Sequence, residues 1–213
     1  MAEERVRSYV RLATARDVPI ILALIRQLAD FERLTHLCVA TEKDLAVSLF
    51  NRPPFQGPSV LLLEISKQLA CNALDPSPKA DESKSTFNEI AKEWTLKGVE
   101  DEEAGLFKSL SEESRLVVGF VLFFPNYSTF LGKPGIYIED LYVRQPYRRQ
   151  GFGKLLLETV AEEAVKRGAG RVEWCVLDWN VNAINFYEGL GATLLHDWRI
   201  CRLSGDALEK YRN

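Results

Sequence analysis

Apolar positions along the chain recur with two periods, and the period changes at polar or Gly/Pro-marked breaks. Residues 9–13 (YVRLA) alternate, as in a half-buried strand. Asp17 precedes Val18-Pro19, the punctuation of a helix start. Val18, Ile21, Leu22, Ile25, Leu28 and Ala29 then follow the i, i+3, i+4 spacing of an amphipathic helix. Thr41-Glu42-Lys43-Asp44 has the form of a capping box. It opens a second helix that carries Leu45, Val47 and Leu49 and ends by Pro53-Pro54. Residues 59–65 read as a continuous apolar run, the pattern of a strand covered on both faces.

Residues 116–124 form a strong strand, Pro134-Gly135 marks a turn, and residues 136–143 (IYIEDLYV) form another strand. Residues 151–167 are helical, with Leu157, Val160, Ala161, Ala164 and Val165 on one stripe and Gly168 as the stop. A strand at 171–177, a short helix at 183–190 and a last strand or bent pair at 194–203 complete the order β-α-α-β-β-β-α-β-α-β. That order describes an α/β domain on a mixed sheet. No internal repeat is visible.

Between these periodic parts, residues 72–113 change texture to Asp, Glu, Ser, Lys and Pro, with at most a short helix at 87–94. Eleven acidic and five basic residues put −6 of charge there, so the rest of the chain carries +3 and the net −3 describes neither part. The segment reads as a solvated, partly disordered insertion, or as a lid or partner-binding arm. Its deletion is expected to leave cofactor binding intact. The 46% apolar share suits a chain that buries a core. Four separated cysteines (Cys38, Cys71, Cys175, Cys201) suit reduced thiols rather than a disulfide framework. No signal peptide is evident, and the longest apolar stretch, 117–124, is far short of a bilayer span. Two histidines without a Cys/His cluster imply no metal. The expectation is a soluble, cytoplasmic protein that binds neither membrane nor nucleic acid.

Candidate chemistry concentrates in Tyr147-Arg148-Arg149-Gln150-Gly151-Phe152-Gly153-Lys154, between a strand and a helix. Two glycines allow close backbone approach, and the helix start presents unpaired N–H groups and a positive dipole end. Arg148, Arg149 and Lys154 add charge, making a site for a pyrophosphate or another polyanion. The spacing fits neither the ATP-binding nor the dinucleotide glycine motif.

Arg148-x-x-Gly151-x-Gly153 after IEDLYV resembles the acetyl-CoA motif of the GNAT superfamily of N-acetyltransferases. The run from Asp178 to Tyr187 (DWNVNAINFY), followed by Gly191-Ala192, resembles that superfamily's second motif. IYIEDLYV, LDWN, the segment Asp30–Leu34 and Tyr127–Phe130 are similar to the diamine acetyltransferases, above all the thialysine N-ε-acetyltransferase branch and its plant members with an insertion. The resemblance covers residues 8–66 and 115–203. It implies a single domain over residues 1–213 with the GNAT acyl-CoA N-acyltransferase fold, a mixed central sheet with helices on both faces, interrupted at about 72–113. It also implies a homodimer.

The resemblance further implies that acetyl-CoA is held along Leu141, Tyr142 and Val143, by Arg148, Arg149, Gln150, Gly151, Phe152, Gly153 and Lys154, and by Asn180, Asn182, Ala183 and Tyr187. Leu141 and Val143 would act through backbone groups. Asn180 also suits a helix cap. Acetyl transfer needs a neutral amine, and neutralising an alkylammonium at pH 7 costs roughly 4–5 kcal/mol. A carboxylate that holds the cation and accepts its proton meets that need. Glu139 stands at the family's substrate-contacting position, and strand alternation turns Asp140 to the opposite face as a structural residue. Tyr187 stands at the general-acid position, protonating the departing sulfur. Phe31, Glu32, Ser128 and Phe130 would contact the small-molecule amine. Polyamine-preferring relatives carry an acidic residue and a tryptophan where this chain has Ser128 and Phe130, which favours a smaller diamine or an amino acid with a side-chain amine. A protein Lys or N-terminal acetyltransferase and a catalytically silent acyl-CoA-binding module remain as rivals.

Overall fold

The computed structural model describes residues 3–67 and 87–212. It divides into two units, Met1–Trp174 and Cys175–Asn213. The first is built on a six-stranded sheet in the order β3-β1-β2-β4-β5-β6. These strands are β1 (Glu3–Leu12), β2 (Ser59–Ser66), β3 (Ile90–Lys97), β4 (Leu116–Ser128), β5 (Lys133–Val143) and β6 (Val172–Trp174). Every pairing is antiparallel except β5 with β6, so the sheet is mixed.

Helices cover both faces, as strand alternation requires. On β2 all eight residues are buried. Val60 and Leu62 join the apolar cluster of α1 (Val18–Phe31) and α2 (Glu42–Leu49). Leu61 and Leu63 point the other way and are fully buried on the face where α3 (Phe152–Lys166) packs. The expected capping box opens α2, with Thr41 Oγ1 accepting from Asp44 N (3.3 Å). Val47 is 65% exposed, so only Leu45 and Leu49 anchor that helix. In α3 the stripe runs through Phe152, Leu156, Leu157, Val160 and Ala164, and Val165 is 76% exposed rather than in the core.

Three expectations change. The helix at 87–94 is absent: the segment supplies the edge strand β3, paired with β1 from Glu3↔Lys97 to Val10↔Ile90. Residues 72–86 and Cys71 lie outside the described residues. Pro134 and Gly135 lie inside β5, and the turn of the β4–β5 hairpin is at 129–132. Residues 194–203 carry no strand. Among the described residues of the second unit the regular elements are α4 (Val181–Glu188) and α5 (Asp206–Glu209), and none is a strand that could pair with them.

A buried ionic cluster ties strands to the inserted segment. Glu64, fully buried on β2, accepts from Arg11 Nε (2.8 Å) and Ser109 Oγ (2.6 Å) and lies 3.4 Å from Arg115 Nη1. Cys38, Cys175 and Cys201 are in no disulfide among the described residues. Among the described residues no helix is long and apolar enough to cross a membrane.

Candidate active site

After β5 the chain passes Arg144, makes one 3-10 turn over Gln145–Tyr147, and enters α3 through residues 148–151. Two of these residues have left-handed backbone, Arg149 at φ +63° and Gly151 at φ +91°. Glycine relieves that conformation, but a non-glycine residue there is strained by about 1 kcal/mol. The first N–H groups of α3, at Phe152, Gly153 and Lys154, have no intrahelical acceptor and point out of the helix end. Arg149 and Lys154 are exposed beside them. This donor set fits a pyrophosphate.

The side chains of the motif divide between two tasks. Arg148 Nε donates to Val143 O (2.9 Å), and its guanidinium lies over the rings of Phe31 (4.3 Å) and Tyr142 (5.1 Å). Gln150 Nε2 donates to Lys97 O (3.2 Å). Phe152 is buried, with its ring edge-on to Trp94 (5.1 Å). Tyr142 is a core residue whose phenol is pushed up by burial. In the first unit, pairing of β5 with β6 runs only from Ile136 to Ile138. Leu141 and Val143 pair with β4 on the inner side, at Val121 and Gly119.

A bulge decides the acceptor side. Asp140 is opposite Leu122, whereas Ile138 is opposite Phe123, so Glu139 is the extra residue. Alternation inverts across it. Ile136 and Ile138 are buried outside the α1 cluster, whereas Tyr142, of the same parity, lies inside it with Leu122 and Phe120. Asp140 therefore faces α1, where simple alternation had put it on the opposite face. Burial, then Glu139, then Glu32 raise its carboxyl to about 7. Burial also raises Glu32, at the C-terminal end of α1. Asp140 thus feels the charges of Glu32 and Glu139, and Phe31, next to Glu32 in the chain, lies under the Arg148 guanidinium. Asp140 is the residue that sequence reasoning missed.

Ser128 and Phe130 lie elsewhere. Ser128 is buried and accepts from Leu131 N (3.2 Å), closing the hairpin turn, and Phe130 is 94% exposed. Ser128 is six positions along β4 from Leu122, which stands opposite Asp140, roughly 20 Å along the strand.

In the second unit Asn180 caps α4, its Oδ1 accepting from Ala183 N (3.3 Å). The helix-cap role is therefore present, and the Ala183 N–H is already engaged. Asn182 is exposed. Tyr187 is half-buried against Phe186, with ring centroids 5.2 Å apart. Among the described residues no cluster of three His, Cys, Asp or Glu side chains is placed to hold a metal ion.

The family model described as "Acetyltransferase (GNAT) family" matches residues 68–192. The chain belongs to the GNAT acetyltransferase family. It is 54% identical over 209 residues to L-ornithine N5-acetyltransferase NATA1 of Arabidopsis thaliana, covering 96% of this chain and 88% of the relative. Tyramine N-feruloyltransferase 4/11 of Nicotiana tabacum is 40% identical over 217 residues, covering 98% and 92%. Thialysine N-epsilon-acetyltransferase of Mus musculus is 30% identical over 213 residues, covering 99% and 98%. Among solved structures, an integron cassette protein from V. cholerae superposes with a TM-score of 0.59 at 17% identity, covering 100% of this chain and 98% of that one, which supports the fold alone. As a GNAT enzyme the chain is an N-acetyltransferase, and acetyl-CoA is the family's co-substrate. The match runs through the acidic segment and across the division between the two units.

Proposed function

We propose that this enzyme acetylates a primary amine of a small diamine or diamino acid, of the ornithine or thialysine type, by direct attack in a ternary complex. The observation that carries the reading is Asp140, which faces α1 and is raised to about 7 by burial and by the negative charges of Glu139 and Glu32. A carboxyl that feels two further negative charges favours a ligand that brings positive charge, and a second amine adds to that attraction. A dication bound there would draw the remaining proton from Asp140. The relatives named for ornithine and thialysine act on molecules that carry a second amine, which agrees with this placement.

Acetyl-CoA supplies an activated acyl group as a thioester. This chain would hold its pyrophosphate with the N–H groups of Phe152, Gly153 and Lys154 and the charges of Arg149 and Lys154. The pantetheine would lie along the outer edge of β5 at Leu141 and Val143. The side chains of Arg148, Gln150 and Phe152 make contacts that shape the turn. Glu139 or Asp140 takes the proton of the attacking ammonium, directly or through water. Tyr187 protonates the departing sulfur, a role carried by N-x-x-A-x-x-F-Y in the second unit. The two units are taken as one GNAT domain. A homodimer and a cytoplasmic location belong to the same reading and rest on the resemblance.

The 40% identity to a tyramine N-feruloyltransferase favours one specific rival, a single aromatic amine as acceptor. Steady-state assays with acetyl-CoA and ornithine, lysine, thialysine, diaminopropane, putrescine, spermidine and tyramine separate the readings. Two-amine substrates should have the highest kcat/KM, and Tyr187→Phe should lower kcat about tenfold or more while acetyl-CoA still binds. Preference for tyramine would overturn the acceptor assignment, and activity on peptides alone would favour a protein acetyltransferase. Binding without turnover on any amine would leave a silent acyl-CoA module.

A further inference from the structure

The inserted segment reaches the acyl-CoA turn at every third residue. Arg144, at the exit of β5, is 1% exposed and is gripped by both oxygens of Asp101, with Nη1 to Oδ2 at 2.7 Å and Nη2 to Oδ1 at 2.8 Å. Its guanidinium also lies over the Phe107 ring at 3.7 Å. Tyr147, the residue before Arg148, donates from its hydroxyl to the same Asp101 Oδ2 (3.0 Å), and burial followed by that bond pushes its phenol well up. Gln150 is tied to Lys97 O at the end of β3. At Gly151, an added Cβ would stand 3.0 Å from the Trp94 ring, and the same ring meets Phe152 edge-on. Residues 144, 147, 150, 151 and 152 thus rest on residues 94–107, leaving Arg149, Gly153 and Lys154 for a ligand.

We propose that this segment positions the acyl-CoA turn, with Asp101 as the positioning residue acting through Arg144 and Tyr147. This rests on the acetyltransferase reading, and it reverses the expectation that the segment is dispensable for cofactor binding. The physical reason lies in Arg144. Asp101 satisfies both of its terminal nitrogens, and Nε is buried without a partner among the described residues. Without the Asp101 charge the buried guanidinium keeps only the exposed Glu103, 4.0 Å from Nη2, as a counter-charge, so the strand exit must move to hydrate it. Tyr147 then loses its acceptor, and the helix N-terminus that follows loses its fixed direction. Asp101 also neutralises Arg144, which removes that cation from the set that meets phosphate. Pre-organised donors bind better because their ordering cost is met before the ligand arrives.

The test uses the full chain with Asp101→Asn, which keeps the shape and removes the charge, and Trp94→Leu, which removes the ring beneath Gly151 without touching a buried ion. Glu93→Gln, exposed on the same strand, is the control. Acetyl-CoA binding is read by calorimetry, and initial rates are read against each substrate. Asp101→Asn is expected to raise the Kd and KM for acetyl-CoA about tenfold, the size of ordinary site-to-site coupling. Its kcat and amine KM at saturating acetyl-CoA should stay within about twofold of the wild type. Trp94→Leu should show the same split, and it decides the matter should Asp101→Asn not fold. An unchanged acetyl-CoA Kd in the folded variants, or equal losses for both substrates, would overturn the proposal. Failure of the unmodified chain to bind acetyl-CoA would instead sink the acetyltransferase reading on which it stands.

Discussion

At Asp140 the two charges that bear on the carboxyl, Glu139 and Glu32, are both negative, and burial adds to them, so it stays protonated up to about pH 7. In the unfolded chain the same group ionises near its usual 3.8. Between those values the folded state holds the extra proton, so stability falls as pH rises from about 4 to 7 and the full cost is present above 7. Asp140→Asn removes that cost. It should raise Tm at pH 8 by roughly 3 °C or more, with a smaller gain at pH 5, when unfolding is followed by circular dichroism. An equal gain at both pH values would detach the effect from titration. Sequence alone placed Asp140 on the wrong face because alternation assumes an unbroken ladder. The extra residue at Glu139 is visible only once the β4 register is known. Ser128 and Phe130 illustrate the opposite limit. Their identities match a substrate loop by resemblance, but the hairpin carries them to its far turn.

Among the elements, those with a strong period were legible. For α1 and β2 the apolar positions alone define the buried face, and Thr41 and Asp44 mark the start of α2. β3 was not legible, because it is an edge strand with one covered face in an acidic context. Ile90, Trp94 and Leu96 alternate with exposed residues, and Lys92 interrupts the apolar side. The seven-residue gap from Phe87 to Trp94 imitates two helical turns instead. The turn ahead of α3 is the element where local and tertiary demands meet at one atom. Gly151 needs a left-handed backbone and also lies under the Trp94 ring. Gly151→Ala should therefore destabilise the protein by about 1–2 kcal/mol and weaken acetyl-CoA binding, as read by chemical denaturation and calorimetry. A variant with unchanged stability would show that the ring yields without cost.

For the whole molecule, the charge asymmetry between the acidic segment and the body becomes a set of ion pairs that join them. Asp101 meets Arg144, and Glu89 meets Arg115 at 2.6 Å. Arg115 in turn reaches the buried Glu64 on β2. The charge imbalance was plain in the composition, but its use required knowing which acids touch which arginines. The GNAT fold was legible for a different reason: the phosphate turn and the second motif are both short, contiguous runs of residues. The strand expected at 194–203 failed because a strand exists only with a neighbour, which no local pattern supplies.

The position of β1 has a practical outcome. β3 pairs with β1 from Glu3 to Val10, and the Trp94 indole donates to Ser8 Oγ, so residues 3–10 hold in place the strand that supports the turn. A chain shortened by residues 1–5 should keep Val6 and Val10 in the core yet release the Thr95–Lys97 end of β3, and bind acetyl-CoA about tenfold more weakly in a calorimeter, although none of the deleted residues belongs to the turn. Unaltered affinity would separate β3 from that support. The site at which an N-terminal tag is fused or trimmed thus becomes a variable in any measurement of this enzyme's affinity for its acyl donor.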